Sequence, residues 1–401
     1  MLAAGCVSSS IMPDKPASDV WLIEDLSQQK LPARRLATLL AKEGWRVALV
    51  PGAGADPAAL AADCVAQGPR LVVFSVLFAG LVGEYLSLAR TLRAADCAAH
   101  LCMAGALPGM VPTELLSACP ALDSVLCAEA EVAVPALARW ALEPGRHPDV
   151  PGLAFRQGGS VQRNPLPRPA TRWPWPAWPE GLATAAGGYR FVTVEASRGC
   201  YHHCSFCLPR ASGAACGAPP YRLRPLSDLL DEIEAHLEAG ARLFLFDDEQ
   251  FVPPANRRER RVTALERGLD RRNLRVAFTI KCRPDDVEPA LFARLRRTGL
   301  VRAYVGVETG SVETLKRLGK GFRAADSLRA LAALADLGIV ADVRCLLFHP
   351  WTTWELLGEE LAFWRAAAPY LPAGLRFHEL EVYPGTPLAA QLASCGRLQG
   401  E

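Results

Sequence analysis

Six prolines fall between Asn164 and Pro179, at positions 165, 167, 169, 174, 176 and 179, with Trp173, Trp175 and Trp178 interleaved. Proline fixes φ and removes an amide donor, so this stretch cannot lie inside a helix or a sheet and must run extended. It divides the chain into two parts that fold around separate cores. The tryptophans are read as glue between the strap and the domains it crosses, in preference to a stacking surface for substrate.

Short apolar runs alternate with helical spacing on both sides of the strap. Before it, strands are expected at Val20–Glu24, Arg46–Val50, Leu71–Val76, His100–Ala104 and Ser124–Cys127, and helices at Leu31–Gly44, Ala58–Gln67, Glu84–Ala94 and Val132–Leu142. Asp56 caps the second helix and Pro57 opens it. Such repeats predict a doubly wound, Rossmann-like parallel sheet with ligands at the carboxyl ends of its strands. After the strap, runs at Phe191–Glu195, Leu243–Phe246, Val276–Ile280, Tyr304–Val307, Val340–Phe348 and Arg376–Val382 predict a six-unit β/α barrel.

Bulk properties exclude several classes. At 401 residues the chain has room for two or three domains, and a net charge of +2 gives no reason to expect a nucleic-acid surface. Thirteen cysteines, odd in number and scattered, make no disulfide framework and suit a reducing, cytoplasmic setting. No apolar run approaches the roughly 18 residues of a membrane span. Leu2-Ala3-Ala4-Gly5-Cys6 has the look of a lipoprotein cleavage site but lacks the preceding charged and apolar regions, so residues 1–18 are read as a disordered start.

Three cysteines stand apart. Cys200, Cys204 and Cys207 are spaced Cys-x3-Cys-x2-Cys, with Phe206 just before the last, on a loop fed by the first barrel strand. Three thiolates on one short loop can hold three irons of a cubane cluster and leave the fourth free to chelate a small molecule. Zinc, with His202 or His203 as fourth ligand, is the alternative, as are plain buried thiols. The triad resembles that of the radical S-adenosylmethionine (SAM) superfamily. That resemblance implies a 4Fe–4S cluster, a SAM molecule bound to its free iron, and reductive cleavage to a 5′-deoxyadenosyl radical. An external electron donor such as a flavodoxin or ferredoxin is implied with it.

Later motifs extend the resemblance. Asp247-Asp248-Glu249-Gln250-Phe251, Glu308-Thr309-Gly310-Ser311, Leu315–Gly321 and Tyr383–Leu388 are similar to segments of cobalamin-linked radical SAM proteins. The first half resembles their cobalamin-binding domain through Ser75 at the end of strand three, Gly105-Ala106-Leu107-Pro108-Gly109 after strand four, Glu129-Ala130-Glu131 after strand five, and a connecting hairpin near Pro151–Arg156. An Asp-x-His-x-x-Gly motif is lacking, so no histidine is placed to ligate cobalt from below; Leu77 and Phe78 are candidates to cover that face. A degenerate domain that no longer binds cobalamin is the alternative. The expected organisation is an α/β chain: residues 19–145 a Rossmann-like cobalamin-binding domain, 146–188 the linker, and 189–395 a partial (β/α)6 TIM-like radical SAM barrel.

Polar residues at barrel strand ends point at the reaction site. Asp248, Arg283 and Glu308, with Phe206, are the candidates for SAM contacts, and Ser75, Leu77, Gly105, Ala106 and Glu129 for cobalamin. Helix capping is the alternative for Asp247 and Asp248. His349 and His378 are candidate proton acceptors or core histidines; Cys216, Cys282 and Cys345 are radical quenchers, extra ligands or inert thiols. The turn Phe348-His349-Pro350-Trp351-Thr352-Thr353 departs from the family's Gly-x-Pro-Gly-Glu-Thr, and the sequence stops soon after Leu392, so a less covered barrel mouth is expected. The resemblance implies a cobalamin-dependent methyltransferase acting on an unactivated carbon of a small-molecule or peptide substrate, with no nucleic acid and no membrane involved. Rearrangement, ring contraction or cyclisation without methyl transfer is the second reading, and an inactive cobalamin sensor or carrier the third.

Overall fold

The computed structural model describes residues 18–26, 31–142, 149–178, 183–184, 188–372 and 374–398. Nearly all of the expected disordered start, part of the first strand-end loop and the last proline of the strap lie outside the described residues.

Two seven-stranded sheets organise the molecule. In the first, β1 (Val20–Glu24), β2 (Val47–Pro51), β3 (Leu71–Val76), β4 (His100–Gly105) and β5 (Ser124–Leu126) run parallel in the order β2-β1-β3-β4-β5. An antiparallel hairpin, β6 (Leu153–Gln157) and β7 (Ser160–Arg163), then extends the sheet beside β5. Every residue of β1 and β3 is buried, because helices cover both faces. Leu22, Leu71 and Val73 pack to one side with Leu36 and Leu137. Ile23, Val72 and Phe74 pack to the other with Tyr85 and Leu88.

The second sheet begins with the two-residue β8 (Ala183–Thr184), antiparallel to β9 (Arg190–Val194). A small ribbon of β10 (Ser197–Gly199) and β11 (Tyr221–Leu223) follows β9 and stands outside the sheet. Parallel pairing then runs from β9 through β12 (Leu243–Phe246), β13 (Ala277–Cys282), β14 (Leu300–Glu308) and β15 (Val340–Phe348) to β16 (Leu375–Glu379). This is a partial six-stranded parallel barrel with helices on its outer face. Val192, Val194, Phe278, Ile280, Val305, Val343 and Cys345 all join the core against those helices. Alternate residues of the same strands therefore face the barrel interior.

Most boundaries shift by a residue or two from the sequence expectation, and two strand ends move further. β14 starts at Leu300 because Gly299, at φ +120, turns the chain directly out of the preceding helix; a Cβ there would lie 2.0 Å from the Val276 carbonyl oxygen. β16 ends at Glu379, leaving Leu380–Val382 outside the sheet. Among the described residues no helix is long and apolar enough to cross a membrane.

Candidate active site

The three cysteines lie on the turn between β10 and the helix Leu208–Ala215, whose N-cap position is Cys207. Two distant segments hold this turn. Ser205 donates its amide to Leu318 O (2.9 Å) and its hydroxyl to Arg317 O (2.9 Å), while its own carbonyl accepts the Leu388 amide (3.0 Å). Gly319 allows this approach: a Cβ on it would stand 3.2 Å from His203 O, at a φ of +64 that L side chains rarely adopt. Burial pushes the Cys200 thiol up to about 11 and Cys207 to about 12. Both therefore carry protons at neutral pH until a metal displaces them. Among the described residues no three His, Cys, Asp or Glu side chains gather closely enough to share one metal ion. His202, the candidate fourth zinc ligand, instead stacks on Tyr201 (4.2 Å between ring centres) with its Nε2 3.8 Å from Asp286.

The expected SAM contacts separate into two groups. Arg283 is drawn to the triad: Nη1 lies 3.4 Å from Cys204 Sγ, Nε donates to Asp285 (2.9 Å), and Nη2 donates to the Lys320 carbonyl. Its guanidinium is thus already matched by Asp285. Glu308, at the end of β14, has a φ of +67, a strained conformation for a non-glycine residue. One of its oxygens meets the buried Lys320 ammonium at 3.4 Å, and that ammonium also lies 5.8 Å from the Phe206 ring centre. Gly306 leaves the room for this pair. Asp248 goes elsewhere: fully buried, it accepts from the Ala196 amide (3.1 Å) and the Ser197 hydroxyl. Desolvation pushes its carboxyl up to about 7. It anchors the start of the cysteine turn, and its neighbour Glu249 reaches toward the ligand side, where Glu249 accepts the Gly199 amide (3.1 Å).

A cleft of about 420 Å³ lies between the carboxyl ends of the two sheets. Leu77, Gly105, Ala106 and Glu129 line it from the first sheet, and Glu195, Arg198, Gly199 and Glu249 from the second. Gly105 is required there: at φ +144, a Cβ would fall 2.4 Å from Val76 O. Ser75 is not part of the lining. Its hydroxyl donates to Glu24 (2.6 Å), a fully buried carboxyl that also accepts the Ala33 amide (3.0 Å) and is pushed up to about 7 by desolvation.

Sequence reasoning missed the belt of charges that joins the halves at this cleft. Arg35 lies 3.1 Å from both Glu131 and Glu195, and Arg198 donates to Glu195 (2.9 Å) and to Glu131. Glu129 takes Arg222, with Arg198 at 3.5 Å. Although burial opposes it, Arg198 and Arg35 hold the Glu131 carboxyl well below its usual range. Trp173 lies under both guanidiniums, 4.4 Å from Arg198 and 5.7 Å from Arg222, and Arg34 sits over Trp178 at 4.7 Å. Trp178 also packs against the core of the second sheet, so this tryptophan of the strap bridges the two halves.

The remaining candidates are mostly structural. Thr309-Gly310-Ser311 is organised by the buried Glu360, which accepts from Thr309 Oγ1 and the Gly310 amide (3.0 Å). His349 accepts the Trp351 amide on Nδ1 (3.3 Å) and meets Thr314 Oγ1 through Nε2 (3.3 Å). Cys282 and Cys345 are buried in the outer core, while Cys216 lines the cleft.

Residues 194–357 match the radical SAM superfamily. The fold of the chain is the one found in cobalamin-dependent members of that superfamily. Over 94% of its length it superposes on the cobalamin-dependent SAM radical enzyme OxsB, solved with aqua-cobalamin and SAM, at a TM-score of 0.75 and 20% identity, covering 60% of that chain. It superposes over 94% on the radical SAM methyltransferase TsrM from Kitasatospora setae at a TM-score of 0.73 and 19% identity, covering 76% of that chain. The hopanoid C-3 methylase of Methylococcus capsulatus is 24% identical over 68% of this chain and 53% of its own length. The chain spans about half the length of the curated relatives it matches.

Proposed function

We propose that this chain is a cobalamin-dependent radical SAM methyltransferase that modifies an unactivated carbon. The observation that carries the reading is the shared cleft, lined by the carboxyl ends of the Rossmann-like sheet and by Gly199 and Leu208, the two residues that flank the cysteine turn. Catalysis by group transfer needs donor and acceptor within near-attack distance, which such a cleft allows.

The residues suit the groups this reading requires. Cys200, Cys204 and Cys207 would each hold one iron of a 4Fe–4S cluster. Arg283 presents a positive charge beside Cys204, which would favour the reduced form of a cluster bound there. Lys320 and Phe206 sit beside the turn, and Glu308 offers a carboxylate to the amino group or ribose of SAM. Leu77, Gly105, Ala106 and Glu129 line the cleft from the Rossmann-like sheet, where Gly105 and Ala106 would let a large cofactor such as cobalamin approach the backbone. When bound, cluster and SAM supply a carbon radical and cobalamin supplies the methyl group. The chain's own contribution would be to set the two halves against each other across the cleft and to fix them with buried ion pairs.

The test is anaerobic reconstitution of the protein followed by metal, cobalamin and product analysis. About four irons and one cobalamin per chain are expected, with 5′-deoxyadenosine and S-adenosylhomocysteine both formed from SAM. Iron and 5′-deoxyadenosine without cobalamin would reduce the first domain to a scaffold and remove the methyl-transfer assignment.

A further inference from the structure

Charges on the barrel interior are paired almost everywhere. Lys281 meets Asp247 at 2.7 Å, Lys320 meets Glu308 at 3.4 Å, Arg302 binds Asp342, and Glu195 is held by Arg35 and Arg198. Arg344 and Arg376 are cations on this face without such a partner. Their Cα positions are direct partners in the β15–β16 register, and both side chains are exposed. The alternate residues Val343 and Cys345 pack in the outer core, so both guanidiniums emerge on the inner face. Arg344 lies over the Tyr304 ring, 5.2 Å from its centre, and neither arginine has a carboxylate at ion-pair distance.

Neighbouring strands are about 4.8 Å apart, so two like charges directly opposite repel unless something neutral or negative stands between them. Arginine forks match the planar oxygens of carboxylate and phosphate. His378 is two residues beyond Arg376 on the same strand face, and its Nε2 is buried without a hydrogen-bond partner. Leu346, the register partner of His378, supplies an apolar wall beside these groups.

We propose that Arg344 and Arg376, with His378 beside them, hold the carboxylate or phosphate of a small organic substrate on the inner face of the barrel. The proposal rests on the barrel being the reaction chamber, as the assigned function requires. It predicts a substrate with an anionic head and makes a wholly neutral one a poor ligand.

The test is calorimetric titration of the intact, iron-reconstituted protein with phenyl phosphate, benzoate and neutral benzyl alcohol. Wild type should bind at least one anion and not the alcohol. Preference for phenyl phosphate points to a phosphorylated substrate, and preference for benzoate to a carboxylate. Arg344→Ala and Arg376→Ala should each weaken anion binding by roughly 10-fold or more, the effect of one charged hydrogen-bonding partner. Arg344→Lys and Arg376→Lys keep the charge and should lose less; they also serve if an alanine variant fails to fold. Arg275→Ala, on an exposed outer arginine, should match wild type. Absence of anion binding to wild type, equal binding of the alcohol, or unchanged binding in the variants overturns the proposal. So does loss of SAM binding in the variants, which would assign the pair to SAM. Anion titration needs no SAM cleavage, so its outcome is separate from the test of the methyltransferase reading.

Discussion

The two sheets use nearly the same alternation of strand and helix for opposite ends. The first is covered on both sides, and its central strands are buried throughout. The second has helices on one side only; its strands alternate between core residues such as Val305 and Val343 and polar residues such as Tyr304 and Arg344. One sheet is a platform and offers chemistry only at strand ends, whereas the other offers a whole face. Each nevertheless hides one carboxyl at a strand end, Glu24 in the first and Asp248 in the second. Each carboxyl accepts one serine hydroxyl and one backbone amide.

The strongest test of that division is functional. Cys204→Ala should reduce 5′-deoxyadenosine formation to background and lower bound iron, while the fold, read by circular dichroism, stays intact; normal turnover would remove the triad from the site. Next comes packing. Phe74→Ala, in the doubly covered sheet, should cost about 3–5 kcal/mol in denaturant unfolding. Thr279→Ala, facing the barrel interior, should stay within roughly 1 kcal/mol. Equal costs would mean that the second sheet is as closed as the first.

The belt between the sheets should give a smaller change. Glu131→Gln leaves Arg35 and Arg198 with fewer counter-charges and should destabilise by about 2–4 kcal/mol. The visible sign would be a separation of the melting curve into two steps, one per half; a single unshifted transition would show that the strap alone suffices.

The smallest effect concerns pH. In the folded protein both Glu24 and Asp248 lie near 7, raised by burial from 4.5 and 3.8. Between those values the folded chain keeps protons that the unfolded chain releases. Stability therefore falls as pH rises from about 4 to 7, and the full penalty from each group is present above that. Glu24→Gln and Asp248→Asn should each flatten the profile in this window, as measured by urea midpoints at several pH values.

Much of this arrangement is legible in the sequence, because periodicity and the cysteine spacing are local signals. The strands fall close to their expected positions, and Leu77, Gly105, Ala106 and Glu129 do meet at one cleft. What is not legible depends on partners far along the chain. The Arg35–Glu131 and Arg222–Glu129 pairs join residues 96 and 93 positions apart, with no pattern to announce them. Asp247, Asp248 and Glu249 are adjacent acids at a strand end. Which one is buried and which faces the cleft depends on Lys281, Ser197 and Gly199, which the run of acids itself does not encode. Ser75 lies outside the cleft lining for the same reason, since Glu24 claims its hydroxyl.

The bond from the Leu388 amide to Ser205 has a temporal consequence. Ribosomes add roughly 5–20 residues each second, so the turn bearing Cys200, Cys204 and Cys207 leaves the tunnel on the order of 10 s or more before the segment that fastens it. During that interval the thiols are tethered on one side at most, and oxidation competes with metal delivery. Cluster maturation is therefore expected to follow synthesis of the last barrel helix, with the delivering machinery meeting a nearly finished barrel rather than a nascent loop.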